Sequence, residues 1–198
     1  MNLLFEQIES LSPNLVWDNS LENITAKPLS PNLKSWLTET NLLTNRIKES
    51  GHVYAVRVLK ESLSSAPMLL KNKNDADQNY IREVVLSVDN DACILAQTLV
   101  PNSTLELNRW IQSLGEQPLG ERLSVMPKVS RSAFEYAYLE LSEVSIWIRR
   151  SSFDIDNTLL WVAELFLPAL DKIKDYCFFR RATIKMSLQH QRFPLRCR

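Results

Sequence analysis

Two charges occupy positions that a strand pattern reserves for apolar side chains. In "NYIREVVLSVDNDACILAQTLVP", residues 79–101, two β-branched runs flank an Asp-Asn-Asp turn. Side chains alternate across a strand, so Arg82 shares a face with Tyr80, Val84 and Leu86. In "LLWVAELFLP", residues 159–168, Glu164 shares a face with Leu160, Val162 and Phe166, while the other face reads Leu159, Trp161, Ala163, Leu165 and Leu167. A strand that is apolar on both faces is covered on both sides. An arginine or a glutamate there needs a partner, or, for the carboxylate, a raised pKa. Two readings stand. Arg82 and Glu164 form one buried structural ion pair, or both face one pocket, where the arginine binds an anion and the glutamate meets a hydroxyl or a proton.

Glycine usage supplies a third element. The chain has three glycines, and two of them, Gly115 and Gly120, bracket "GEQPLG". Glycine appears where a backbone turns sharply or approaches something closely. Such a loop beside a pocket offers free N–H groups to a carboxylate; the alternative is an ordinary helix-to-strand connection. Other chemistries lack their motifs. There is no P-loop, no GxGxxG, no HExxH and no GxSxG, and His52 and His190 have no ligand-like neighbours, so neither metal-dependent nor nucleotide-dependent chemistry is expected.

The elements that must position these groups are legible in outline. "LSPNLKSWLTETNLLTNRIKESG" has a Ser-Pro start, apolar residues at helical spacing and Gly51 as a stop, predicting one or two helices. "HVYAVRVLKES" reads as a first strand, and residues 79–101 as strands two and three. "STLELNRWIQSLG" predicts a helix capped by Ser103 or Thr104 and ended by Gly115. "AFEYAYLEL", "SIWIRRSSFDI" and "LLWVAELFLP" complete the set. The pattern predicts an α+β fold with a single antiparallel sheet of about six strands and helices covering one side.

At 198 residues the chain fits one domain, expected over 1–170, with 171–198 as a helical extension and basic tail. Its 23 basic and 23 acidic residues cancel, so no bulk field favours nucleic acid or a membrane surface. The three cysteines, Cys93, Cys177 and Cys197, match neither a disulfide framework nor a thiolate metal site, and a cytoplasmic location is expected. "MNLLFEQIES" lacks the basic start of a secretory signal, and the longest apolar run is too short to span a bilayer.

Taken in order, "REVVLSVDNDACILAQTLVPNSTL", "LGEQPLGERL" and "WIRRSSFDIDNTLLWVAELFLP" resemble the chorismate pyruvate-lyase family. Its pattern is an Arg-Glu strand, a T-x-x-P-x-S-T-L strand end, a P-L-G loop, a W-x-R-R-S strand and a final E-L-F-L-P. The resemblance covers roughly residues 30–168. It implies an antiparallel sheet with helical flaps over a buried ligand pocket, a fold shared with the effector-binding UTRA domains of bacterial regulators. It also implies elimination of pyruvate from chorismate to give 4-hydroxybenzoate for ubiquinone or plastoquinone, with no cofactor. The family roles fall on Arg82 for the ring carboxylate, the backbone at Leu119 beside it, Glu164 for the ring hydroxyl and a flap contact at Leu43. Arg149 and Arg150 alternate faces, so at most one of them is expected to reach the second carboxylate; a structural arginine is the alternative. An effector-binding, non-catalytic protein is the other reading, but about 50 residues before the first strand are too few for a winged helix-turn-helix plus the flap. The chain departs from the family at Ala96-Gln97, where Gly-Arg is common, at Leu43, where a methionine is usual, and at Ile148, in place of a glycine. The first departure predicts one pocket cation fewer.

Overall fold

The computed structural model describes Phe5, Ile8 and residues 15–173, except 25–26, 75, 77 and 142–143. Its seven strands are β1 Tyr54–Ser64, β2 Asn79–Val88, β3 Asp91–Pro101, β4 Val129–Arg131, β5 Glu135–Glu140, β6 Ser145–Ile155 and β7 Thr158–Phe166. They form one antiparallel sheet in the order β1-β2-β3-β7-β6-β4. β5 pairs the first half of β6 and β4 the end of it, so both lie along one edge. The strand missing from the sequence reading is β4, whose three residues are too few to show an alternation.

Two tight turns fix the register. Asp89 and Asn90 have φ of 49° and 75°, and Asp156 and Asn157 have 48° and 69°. Consecutive left-handed residues make the turn whose twist matches a two-residue hairpin, and Asp and Asn tolerate that conformation better than other side chains. A third device is invisible in the sequence. The β1–β2 register shifts between Val58 and Lys60: Val58 lies opposite Val84, but Lys60 lies opposite Glu83 and Glu61 opposite Arg82. The extra residue of this bulge brings Glu61, not Lys60, to Arg82.

Four short helices, α1 Pro31–Leu37, α2 Leu43–Glu49, α3 Asn102–Leu107 and α4 Leu119–Ser124, pack on one face of the sheet. Ser30 caps α1, its hydroxyl accepting from the Leu33 N–H at 2.9 Å. Trp36, Leu37, Leu43 and Ile47 bury themselves with Leu86, Ile94, Trp147 and Phe166. Leu105, Ile111 and Leu123 join Tyr80, Val100, Leu160 and Val162. The opposite face buries Ile81, Val85, Leu95, Leu99 and Leu165 with Leu69, Leu70, Phe5 and Ile8.

The helix expected over 103–115 breaks into α3 and a 3-10 stretch, Arg109–Ser113. Asn108 breaks it, since its amide donates to the Thr104 carbonyl at 3.0 Å and its side-chain oxygen accepts from the Trp110 indole at 3.1 Å. Neither Ser103 nor Thr104 caps: Pro101 takes the cap position, and the Thr104 hydroxyl donates to the Leu159 carbonyl at 2.8 Å. Pro168–Lys172 forms a 3-10 turn, and the tail expected beyond it lies outside the described residues from 174 on. Among the described residues no helix is long and apolar enough to cross a membrane.

The turn at Asn90 should report on this frame. Asn90→Ala is expected to lower stability by about 1 kcal/mol and Asn90→Gly to leave it level or raised, read from urea midpoints at unchanged m-value.

Candidate active site

The helix-covered face of the sheet holds a cavity of about 120 Å³. Cross-strand rows set its floor. One row runs Glu61, Arg82, Thr98, Val162, Ser151, and the next runs Val58, Val84, Ala96, Glu164, Arg149. Arg82 and Glu164 therefore stand two strands apart, roughly 10 Å before the row offset is added. The small side chains of Ala96 and Thr98 lie between and line the cavity with them. The single Arg82–Glu164 ion pair is not formed, and the two charges border one space.

Each has its own partner. Arg82, 2% exposed, donates from Nη1 to Glu61 Oε1 at 2.6 Å and from Nη2 to the Gly115 carbonyl at 2.6 Å. Gly115 takes φ +52°. The "GEQPLG" loop thus offers Arg82 a carbonyl, where the sequence suggested N–H groups for an anion. Arg82 is buried because Glu61 reaches it from β1, across the bulge.

Glu164 is the hub of the other side. Its Oε2 accepts from Arg149 Nε at 2.6 Å and from Arg131 Nη2 at 3.3 Å, and no described residue donates to its Oε1. Burial pushes its carboxyl pKa up, but the two guanidiniums outweigh burial and hold it below the ordinary value. Arg149 is fully buried and also donates from Nη1 to the carbonyls of Leu37 at 2.9 Å and Glu39 at 2.7 Å. It therefore satisfies the carboxyl end of α1, whose last carbonyls have no helical partner. Arg131 donates from Nε to the Ser151 hydroxyl at 2.8 Å. Burial, together with the neighbouring Arg149, lowers its pKa against the opposing pull of Glu164.

The roof comes from two separate stretches, Asn41–Thr44 leading into α2 and Pro118–Gly120 leading into α4. They meet where a Cβ on Gly120 would lie 3.0 Å from Leu42 Cδ2. Glu121 ties them, accepting from the Tyr54 hydroxyl at 2.7 Å and from Lys48 Nζ at 2.9 Å. Leu43 and Leu119 both line the cavity from this roof.

Of the residues singled out in the sequence, Arg82, Glu164, Leu43, Leu119 and Arg149 converge. Arg150 does not. It turns to the opposite face, where Nε donates to Glu135 at 2.5 Å and the guanidinium stacks over Trp17. Gln97 also points away and donates to Glu83 at 2.9 Å, so a cation at that position would face Glu83, and the expected loss of a pocket cation does not follow. Sequence reasoning missed Glu61, which the bulge brings into place, and Arg131, which stands just before the stretch read as a strand. Among the described residues no three His, Cys, Asp or Glu side chains gather as metal ligands would.

The sequence profile of the chorismate lyase family matches residues 11–174. A probable chorismate pyruvate-lyase of Dechloromonas aromatica is 30% identical over 160 residues, 73% of this chain and 91% of that protein. The chorismate pyruvate-lyase of Escherichia coli is 30% identical over 162 residues, 79% of this chain and 96% of that protein. That of an Enterobacter species is 30% identical over 149 residues, 71% and 86% respectively.

Removing the hub should be costly. Glu164→Leu leaves the fully buried Arg149 and the half-buried Arg131 without their carboxylate and is expected to cost about 3–5 kcal/mol. Adding Arg149→Met should recover part of it, giving a non-zero coupling in a double-mutant cycle followed by urea unfolding.

Proposed function

The chain belongs to the chorismate lyase family, and we propose that its cavity eliminates pyruvate from chorismate to leave 4-hydroxybenzoate, with Arg82 and Glu164 holding the two ends of the ring. The observation that carries the roles is the free Oε1 of an ionised Glu164 set across a small-residue floor from Arg82. A para-substituted ring has the same layout: a carboxylate at one end and a hydroxyl at the other.

The reaction asks little of the protein beyond placement. The C3–O ether bond of chorismate breaks with its electron pair leaving on the enolpyruvyl oxygen, C4 loses its hydrogen as a proton, the ring becomes aromatic, and the enolpyruvate takes up a proton at its methylene carbon to depart as pyruvate, with no other reactant consumed. Aromatisation supplies the driving force, so orientation and electrostatics are the catalyst's share. Arg82 donates its remaining N–H groups to the ring carboxylate, joined by the backbone at Leu119 in the first turn of α4. Glu61 keeps Arg82 neutralised between turnovers. Glu164 accepts from the C4 hydroxyl through Oε1 and orients the C4–H bond. Thr98 and Ala96 leave the ring its room, and the roof at Leu43 and Leu119 excludes water. A 4-hydroxybenzoate product serves as a quinone ring precursor, and the cytoplasm, which keeps thiols such as the buried Cys93 reduced, suits the enzyme.

The purified protein with chorismate should release 4-hydroxybenzoate and pyruvate in equal amounts. Arg82→Ala should lower kcat/KM by about 10- to 100-fold, the loss of a charge-assisted contact. Glu164 is held ionised by a lowered pKa, so its contribution persists above the ordinary carboxylate value and is lost only as pH falls through the lowered one. Accordingly kcat/KM should show no Glu164 limb between about pH 6 and 8; an inflection there that vanishes in Glu164→Gln would overturn the acceptor role.

A further inference from the structure

We propose that Arg131, with the unused Nη2 of Arg149, forms the subsite for the second carboxylate of the substrate, the one on the enolpyruvyl side chain. The proposal rests on the chorismate-lyase reading and extends it to a residue that the sequence pattern did not single out.

The cavity carries an unbalanced charge. Three guanidiniums line it, those of Arg82, Arg131 and Arg149. Glu61 answers Arg82, and Glu164 alone answers the other two. One positive charge is left on the Glu164 side. It is also left with unused donors: Arg149 Nη2 is buried with no acceptor, and Arg131 has Nη1 without an acceptor among the described residues. A buried cationic donor without a partner is costly and points to a missing anion.

The place is right for that anion. On chorismate the enolpyruvyl ether stands at C3, next to the C4 hydroxyl. When C4–OH meets Glu164 Oε1, the neighbouring side chain falls among the groups bound to Oε2 of the same carboxylate, and these are Arg149 and Arg131. Phe134 keeps both cations in place, its ring centre 4.3 Å from each guanidinium carbon. Burial and the adjacent Arg149 lower the pKa of Arg131, the direction expected of a cation short of negative charge. The two arginines differ in duty. Arg149 also holds the end of α1, whereas Arg131 lies on the short edge strand β4, where, among the described residues, its side chain hydrogen-bonds Ser151 and Glu164 and stacks on Phe134 and Phe153. Arg131 is therefore the residue to change.

Such a subsite separates substrate from product, because 4-hydroxybenzoate has lost the second carboxylate. The test compares two ligands by calorimetry: 4-hydroxybenzoate, and 3-(1-carboxyvinyloxy)benzoate, an already aromatic dicarboxylate that keeps the ether. Arg131→Gln should weaken the dicarboxylate by about tenfold or more and leave 4-hydroxybenzoate within about twofold. Arg131→Lys, which keeps the charge but loses the fork, should fall between, and it supplies the same comparison if Arg131→Gln does not unfold cooperatively in urea. Equal weakening of both ligands, or an unchanged dicarboxylate, overturns the subsite. A wild-type protein that yields no 4-hydroxybenzoate from chorismate overturns the family activity and the subsite with it. Turnover by the wild type without the selective loss overturns the subsite alone.

Discussion

Glu164 brings two guanidiniums onto one oxygen, and the rest of the site is arranged around that contact. Arg149 crosses from β6 to β7 to reach it and turns its other edge to the carbonyls at the end of α1. Floor and roof are therefore joined through one side chain. Buried ion pairs bring little net stability, since desolvation offsets most of the attraction. Their value here is geometric: both guanidiniums take Oε2, no described residue donates to Oε1 of this cavity-lining carboxylate, and the lowered pKa keeps the group charged. An apolar replacement of equal volume would pack as well and have nothing to offer a hydroxyl.

The two cationic sides of the cavity are balanced differently. Arg82 is closed off by Glu61 and by the Gly115 carbonyl, so a ligand carboxylate meets a fork already half committed. A ligand carboxylate there would share the cation with a resident acid. On the Glu164 side two guanidiniums face one carboxylate, so the positive charge exceeds the negative there.

Much of this was readable from the chain, and the unread part has definite causes. The faces of β2 and β7, and with them Arg82 and Glu164, follow from alternation alone, as does the split between Arg149 and Arg150. The positions of Leu43 and Leu119 came from motif resemblance, since nothing in the periodicity of short helices marks a roof. β4 is too short to alternate, which hid Arg131. Asn108 outcompetes a helix ladder with its side chain, which no propensity sum anticipates. The expectation of one pocket cation fewer at Ala96-Gln97 came from the family resemblance alone, and strand alternation carries Gln97 to Glu83 on the other face.

The bulge in β1 acts as a reading frame for charge. Ahead of it, paired residue numbers follow one rule, Val58 opposite Val84; after it they follow another, Glu61 opposite Arg82. Were every residue kept but paired without the bulge, continuing the first rule would set Lys60 opposite Arg82, an ammonium facing a guanidinium in a buried row. Deleting Leu59, by contrast, would remove the extra residue and still leave Glu61 opposite Arg82, so a slip of pairing, not the loss of a residue, is what would act at the site as a charge reversal.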